Sequence, residues 1–519
     1  MTEPFNAAVH LSDQRVRAGD GDRIAFHHPR GTTTYEELAE EVHRVAGGLA
    51  AIGVRPEERV LLCMVDDLEL AVGILATMYL GAVAVPSSTM LTGGELATLV
   101  TDSRARVLLG SQEFAGTVVA AAAAATELRH VVLTGATPPQ VEPGVTGLTW
   151  DALRAAEPLA TPYPTWDESP ALWLYTSGTT GTPKGAMHRH VDIRYVGETY
   201  GRQVLGIGPD DVCLSAAKLF FAYGIGNSMF FPLSVGASAV LEPARPNPAR
   251  FAELAAEHGV TLLFGVPSFW GPTLAAELPR AAFATVRNGV SAGETLPARM
   301  LHGVQEQYGF EILDGIGSTE ALHIFISNVP GKAVPGSSGF PVPGYAVELR
   351  RPDGSVIDGP GEPGMLFISG ESICTGYWCR TAVNRAVFQG EWMRTGDQYV
   401  RGEDGSYTCL GRADDVLKVG GIWVSPTEVE ARLLEHPGIA EAAVIGVPDA
   451  DGLDKPVAYV VARAGVVLDP DEVVTFCKAE LASFKRPRLV VAVEELPKTA
   501  TGKIQRFRLR AAAGELVVG

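Results

Sequence analysis

Short, uncharged apolar runs separated by amphipathic stretches fix what this chain can fold into. LLCMV (61–65) reads as a strand, Glu69–Leu80 as a helix, and VAVPSS as the next strand with its exit turn. The order recurs later, with ASAVLE (237–242), a helix from about Pro248 to His258, and then TLLFGVP. A strand that is apolar at every position must be covered on both faces, which helices flanking a parallel sheet accomplish. The expected class is therefore α/β, with largely parallel sheets. At 519 residues the chain exceeds one ordinary core, so more than one domain is expected. The uncharged stretch Leu70–Pro86 is short for a bilayer, contains Gly73 and Gly81 and ends in proline. A buried helix running into a buried strand explains it better than a membrane span.

The character of the sequence changes after about Ser338. Gly and Pro become dense up to Tyr407, with short alternating segments such as AVELR and GMLFISG, the pattern of a β-rich subdomain. After GRADD (411–415) a compact α+β pattern follows, in which SPTEVEARLLEH and DEVVTFCKAEL read as helices and AEAAVIGV, PVAYVVA and RLVVAVEEL as strands. We expect a large N-terminal domain over 1–412 and a small C-terminal domain over 413–519. The junction at Arg412–Asp415 lacks a long Pro/Ser linker and reads as a tight hinge.

The sharpest chemical signal is Leu172–Gly185, LWLYTSGTTGTPKG, an apolar strand running into a loop of Gly, Ser and Thr that ends in lysine. Gly178 and Gly181 let backbone N–H groups approach an anion. Ser177, Thr179 and Thr180 add hydroxyl donors and Lys184 adds a point charge. The result is a polyphosphate cradle in kind. It is not the Walker arrangement, because Lys184 follows proline and precedes glycine.

YTSGTTGTPKG resembles the phosphate-loop signature of the adenylate-forming superfamily, which comprises acyl- and aryl-CoA ligases, peptide-synthetase adenylation domains and luciferases. SAGE (291–294), DGIGSTE (314–320), RTGD (394–397), GRADDVLKVGG (411–421) and PKTATGK (497–503) match further family motifs in the family's order. The resemblance spans most of the chain. It implies that Thr176, Thr319 and Glu320 hold the nucleotide phosphates and Mg²⁺, with Glu320 as the oxygen ligand that a hard cation prefers. By the same resemblance Gly293, Glu294, Asp314, Gly315 and Ile316 belong to the ATP/AMP site, Asp397 binds ribose, and Arg412 lies near ribose and phosphate. Lys503 matches the lysine that reaches into the active site and joins an anionic carboxylate to an anionic phosphate. Asp414 falls at the family's hinge, and Gly420, Gly421, Ile422 and Trp423 on the loop that serves the thiol step.

KLFFAYGIGNSMFFPLSVGAS (218–238) and DGIGSTEALHIFISN (314–328) resemble the benzoate-CoA ligase branch. Ala222, Tyr223, Gly317, His323 and Ile324 fall on that branch's aryl-pocket positions, where small residues and a flat aromatic wall suit a planar ring. FFAYG carries no acidic residue of the kind that would pair an amino acid's α-ammonium. Phe220, Phe221, Phe230 and Phe231 read as core aromatics, and His188 and His190 as structural rather than metal-binding histidines. Ala321, Gly420 and Trp423 depart from the branch's usual residues, the first beside the acid pocket and the other two on the thiol side.

The expected activity is ligation of benzoate or a substituted benzoate through aryl-AMP to CoA, with ATP and Mg²⁺. An alternative acceptor is the phosphopantetheine arm of an acyl carrier protein, for which Lys485, Arg486 and Arg488 offer local positive charge. A non-catalytic ligand-binding relative is the remote alternative, against which the retained Lys503, Glu320 and phosphate loop argue. A net charge of −18 disfavours nucleic acid and anionic membrane as partners. The six cysteines form no paired spacing and the first residues carry no signal-peptide pattern, so a cytoplasmic enzyme is expected, as a monomer or homodimer.

Overall fold

The computed structural model describes residues 4–177, 183–412, 415, 417–419, 422–448, 454–498 and 504–513. Near its start, β1 (Ile24–His28) and β2 (Gly31–Thr34) form an antiparallel hairpin. Five parallel strands follow: β3 (Arg59–Cys63), β4 (Val83–Pro86), β5 (Val107–Gly110), β6 (His130–Leu133) and β7 (Thr146–Thr149). β8 (Pro170–Ser177) joins β4 in parallel and turns back as antiparallel β9 (Pro183–Arg189). The seven strands lie in the order β7-β6-β5-β3-β4-β8-β9.

The second sheet is built on β10 (Val212–Ser215), β11 (Ser238–Val240), β12 (Leu262–Gly265), β13 (Asn288–Ser291) and β14 (Glu311–Gly317), all parallel. β14 folds back antiparallel as β15 (Ile324–Ser327), and β16 (Phe340–Pro341) follows at the edge. The order of the nine strands is β16-β15-β14-β13-β12-β10-β11-β1-β2. β4, β5 and β12 are buried at every position, as their continuous apolar runs require, and β13, with the sequence NGVS, is equally buried.

The helix expected over Pro248–His258 occupies those residues, capped by Asn247 at its start and by left-handed Gly259 at its end. The uncharged stretch forms the helix Leu68–Tyr79, buried from Leu70 onward, leading into β4. Among the described residues no helix is long and apolar enough to cross a membrane.

Contacts divide the chain into two compact units. The first comprises 1–335, 339–346 and 368–393; the second comprises 336–338, 347–367 and 394–519. The Gly/Pro-rich stretch forms the short strands β17 (Ala346–Arg350), β18 (Gly364–Ser369), β19 (Phe388–Gln389), β20 (Trp392–Arg401) and β21 (Tyr407–Arg412). In the second unit a hairpin of Leu417–Val419 and Ile422–Val424 precedes the helix Pro426–Leu434. The three-stranded sheet there consists of Ile439–Pro448, Asp454–Ala462 and Leu489–Val493, with the helix Pro470–Lys478 between its last two strands. Leu417, Val424, Val429, Leu433, Val444, Val460 and Val473 make this core continuous.

Helix Tyr35–Ala51 packs its backbone directly on the segment that follows β7. A methyl group on Gly48 would stand 2.1 Å from the carbonyl oxygen of Leu153. Gly48→Ala is therefore expected to lower the unfolding free energy by about 1–3 kcal/mol, read as a lower urea midpoint. Gly94→Ala, which meets open space, should leave it unchanged or raise it.

Candidate active site

β8 and β9 bring the two ends of the phosphate-cradle sequence together, and Thr176 stands opposite Lys184 across their ladder. Gly178, Thr179 and Thr180 lie outside the described residues, as do Asp414, Gly420, Gly421 and Lys503 and the side chains of Ser177, Ile422 and Trp423. The base of the hairpin is braced from the end of helix Gly93–Ser103. Tyr175 Oη donates to Asp102 Oδ2 at 2.8 Å, and Arg380 donates to Asp102 Oδ1 at 2.7 Å. Trp378 Nε1 donates to the Asp102 carbonyl at 3.0 Å, and the Arg59 guanidinium lies 5.3 Å and 5.6 Å from the rings of Trp173 and Trp378.

The turn from Ser318 to His323, between β14 and β15, carries residues expected on both the phosphate and the acid side. Leu322 adopts a left-handed φ of 65°, a conformation that costs a branched residue about 1–2 kcal/mol. Three successive carbonyls of the turn are held from outside it. His188 Nε2–H donates to the carbonyl of Thr319 at 2.8 Å, the Cys374 amide to that of Glu320 at 2.8 Å, and Ser372 Oγ to that of Ala321 at 2.8 Å. His188 is itself fixed from behind, its Nδ1 being 3.0 Å from Asp192 Oδ2. His190, fully buried, accepts the Ala7 amide at Nδ1, and burial pushes its pKa down to about 3. Both histidines therefore take the structural roles expected of them.

Glu320 is oriented by Tyr377, whose Oη donates to Oε1 at 2.6 Å, and the ammonium of Lys184 lies 5.3 Å from the centre of the same ring. Lysine, tyrosine and carboxylate thus follow one another at the mouth of the hairpin. Among the described residues no cluster of three His, Cys, Asp or Glu side chains could hold a metal by itself. A single oriented carboxylate fits Mg²⁺, which binds proteins through one or two carboxylates and takes its other ligands from phosphates and water.

The expected acid-pocket residues converge in the first unit. Ala222 opens the helix Ala222–Ile225. Tyr223 sends its hydroxyl to the carbonyls of Gly265 and Val290, both at 3.1 Å, at the carboxyl ends of β12 and β13. Ligands of parallel sheets sit at that end of the strands. His323 is buried against Tyr223, Phe231 and Tyr200, with ring centres 5.5, 4.5 and 5.2 Å away. Its Nε2–H faces Asn227 Oδ1 at 3.1 Å and the Tyr223 carbonyl at 3.3 Å. Asn227 Nδ2 donates to Ser215, which orients the amide. Burial pushes His323 down to about 3, so the imidazole is neutral at any working pH. Gly226 and Gly317 are required by close approach. A methyl on Gly226 would lie 2.3 Å from His323 Cδ2, and one on Gly317 2.5 Å from the His323 carbonyl. Ile324 is buried at the start of β15, and Phe220, Phe230 and Phe231 are core residues as expected, whereas Phe221 is only half-buried.

Of the residues expected at the nucleotide, Gly293 and Glu294 are exposed just past β13, while Gly315 and Ile316 lie within β14. Asp314 is buried beneath them. Its Oδ2 accepts the Leu296 amide at 3.4 Å, and burial pushes its pKa up to about 8. Its carboxyl therefore acts as a support under the 292–296 turn. In the second unit Asp397 and Arg412 face each other across β20 and β21 and form an ion pair of 2.9 Å. Tyr377, Asn227 and Asp102 escaped the sequence reading. Their roles depend on contacts 57, 96 and 73 positions away in the chain, which no local period announces.

Comparison with known proteins supplies the family. The model of the AMP-binding enzyme family matches residues 13–378, and that of the AMP-binding enzyme C-terminal domain matches 428–503. A benzoate–CoA ligase of Thauera aromatica is 41% identical, with 99% of this chain and 97% of that protein aligned. A 4-hydroxybenzoate–CoA/benzoate–CoA ligase of Rhodopseudomonas palustris is also 41% identical, over 98% of this chain and 94% of that protein. The crystal structure of a benzoate CoA ligase from Burkholderia xenovorans LB400 superposes with a TM-score of 0.88 at 41% identity, covering 98% of this chain and all of that one.

The buried histidines fix a pH dependence. Both folded pKa values lie below the ordinary histidine value of about 6.5, so the unfolded chain takes up protons first as pH falls. Their contribution to stability is complete above about pH 6.5 and is lost progressively toward pH 3. Buried Asp314, with its raised pKa, acts in the opposite sense, so the readout is a difference: His323→Asn should lose less melting temperature than wild type between pH 6.5 and pH 3, as followed by circular dichroism.

Proposed function

This chain belongs to the AMP-binding enzyme family, and from that footing we propose that it is an ATP-dependent, AMP-forming ligase that joins benzoate or a substituted benzoate to CoA. The observation that carries the reading is the relation of the chain over its whole length to benzoate–CoA ligases, with the rings of Tyr223 and His323 in contact at the expected acid site. Tyr223 is anchored to two strands and His323 is neutral and buried, so the wall assigned to the acid is aromatic and uncharged, which suits a planar ring.

In the first half-reaction the carboxylate of the acid attacks the α-phosphate of ATP, giving aryl-AMP and pyrophosphate. Two anions must meet, so the residues assigned to this step are donors and cations. Thr176, Ser177, Gly178, Thr179, Thr180 and Lys184 cradle the phosphates, with Thr319 beside them. Glu320, oriented by Tyr377, holds Mg²⁺, which when bound neutralises phosphate charge. Gly293, Glu294, Gly315 and Ile316 border the base, Asp397 accepts from the ribose hydroxyls, and Arg412 supports it from across the ladder. Lys503 bridges carboxylate and phosphate. In the second half-reaction the CoA thiol attacks the aryl carbonyl and AMP departs. We assign Gly420, Gly421, Ile422 and Trp423 to this step, with the change between the two halves hinged at Asp414.

A carrier-protein acceptor would need surface cations to receive an acidic partner. Lys485 is already paired with Glu428 at 2.6 Å, and Arg486 Nε donates to the Leu481 carbonyl at 2.8 Å. Arg488, the third, is exposed on the surface, so the preference for free CoA rests on the relation to benzoate–CoA ligases. The reading places the enzyme in the cytoplasm, where ATP and CoA are available.

The purified protein, given ATP, Mg²⁺, CoA and a panel of benzoates, cinnamates, short fatty acids and amino acids, should release pyrophosphate and yield aryl-CoA with the benzoates. Pyrophosphate without thioester would move the acceptor to a carrier protein, and turnover of fatty or amino acids alone would overturn the reading. Lys503→Ala is expected to slow adenylation by roughly 10²-fold or more, while sparing thioester formation from preformed aryl-AMP. Equal loss in both half-reactions would remove Lys503 from the role.

A further inference from the structure

We propose that Asp66 is a positioning residue for the aryl acid, clamping the segment that carries Ala222 and Tyr223 to the neighbouring sheet. The inference rests on the acid pocket assigned above. Asp66 stands in the turn after β3, on the first sheet, and its side chain is buried. Both carboxylate oxygens receive one backbone amide of the other sheet's connection: Leu219 N lies 3.2 Å from Oδ1 and 3.0 Å from Oδ2. The adjacent Lys218 is tied down on the other side, its ammonium donating to the carbonyls of Glu242 at 2.5 Å and Ala244 at 2.6 Å, just past β11. The irregular stretch between β10 and the helix Ala222–Ile225 is thus pinned at consecutive residues to two different parts of the unit.

What is pinned bears directly on the pocket. A methyl group on Gly224 would lie 2.0 Å from the Lys218 carbonyl oxygen and 2.5 Å from that of Ala217, so the clamped backbone rests on the residue after Tyr223 with no side chain between. Two residues on, Gly226 lies against the ring of His323. A shift at Lys218–Leu219 therefore passes through backbone contact to Tyr223 and on to the pocket's histidine. Burying a carboxylate is expensive, and burial pushes Asp66 up to about 6 even with Lys218 nearby. An apolar side chain would fill the same space without that cost, but it could not hold a backbone amide in an irregular segment.

The test compares full-length wild type with Asp66→Ala, Asp66→Asn and Lys218→Met, measuring KM for benzoate and for ATP by pyrophosphate release, with a melting curve for each variant. Loss of a hydrogen bond to a charged group corresponds to roughly a 10-fold or greater change. Asp66→Ala should therefore raise the benzoate KM by about 10-fold or more, with the ATP KM within about 2-fold. Asp66→Asn, whose amide carbonyl can still accept the Leu219 amide, should recover most of the loss. Lys218→Met should raise the benzoate KM alone, by a smaller factor, and serves where Asp66→Ala does not fold. A benzoate KM that is unmoved, or that rises together with that of ATP, overturns the clamp, as does an Asn variant no better than Ala. Wild type that releases no pyrophosphate with any benzoate overturns the ligase reading, and the clamp falls with it; an active wild type with unmoved variants overturns the clamp alone.

Discussion

The six-residue turn from Ser318 to His323 is the constraint on which the rest of the site depends. It places Thr319 and Glu320, assigned to phosphate and Mg²⁺, and His323, assigned to the aryl ring, within a few ångströms of chain. Bringing two anionic reactants together requires that their binding groups keep a fixed separation. A free loop would lose that separation. Here the carbonyls of Thr319, Glu320 and Ala321 are each held by a different donor, from His188, Cys374 and Ser372. A net contribution of about 0.5–1.5 kcal/mol for each such bond is enough to hold Leu322 in its left-handed conformation.

Those donors explain why the surrounding architecture is needed. His188 arrives on β9, directly after the phosphate-cradle sequence, so the strand that leaves the cradle also grips the turn. Ser372, Cys374 and Tyr377 arrive on the segment running beside β9, joined to it by the Met187–Gly376 and Trp378–Gly185 hydrogen bonds. Arg189 extends the same layer, reaching Asp192 at 2.9 Å and Glu168 at 2.9 Å. The buried charges of this layer are therefore compensated in pairs, as groups cut off from water must be.

The sequence made the sheets legible because their strands are apolar without interruption. Val83–Pro86 and Leu262–Gly265 admit no solvated face, and a parallel sheet follows. The helix from about Pro248 to His258 was legible, and the residues that bound it, Asn247, Pro248 and Gly259, act within one turn of the chain. Of the site, ordered motifs carried the expectations for the loop chemistry and the pocket positions. The supports were not. Asp102, Tyr377, Asn227 and Asp66 each act on a residue more than fifty positions away. A single aspartate, asparagine or tyrosine has no signature until the fold brings it to its partner. Asp314 shows the converse: its motif placed it in the nucleotide site, while its buried side chain supports the turn that borders that site.

The electrostatics of the pocket account for the class of acid it takes. Two ionisable groups are assigned to it, and burial holds both in their neutral form near pH 7. His323 is lowered to about 3 and Tyr223 is raised well above its ordinary value. The floor therefore presents polarity without charge. A planar ring gains from leaving water there and is not opposed by a buried ion. An amino acid would bring an ammonium for which none of Ala222, Tyr223, Gly317, His323 and Ile324 supplies a carboxylate. A substrate charged at both ends would strand one charge in a medium that cannot solvate it. The arrangement thus suits acids whose body is an uncharged ring and whose single charge, the carboxylate, is left outside those walls.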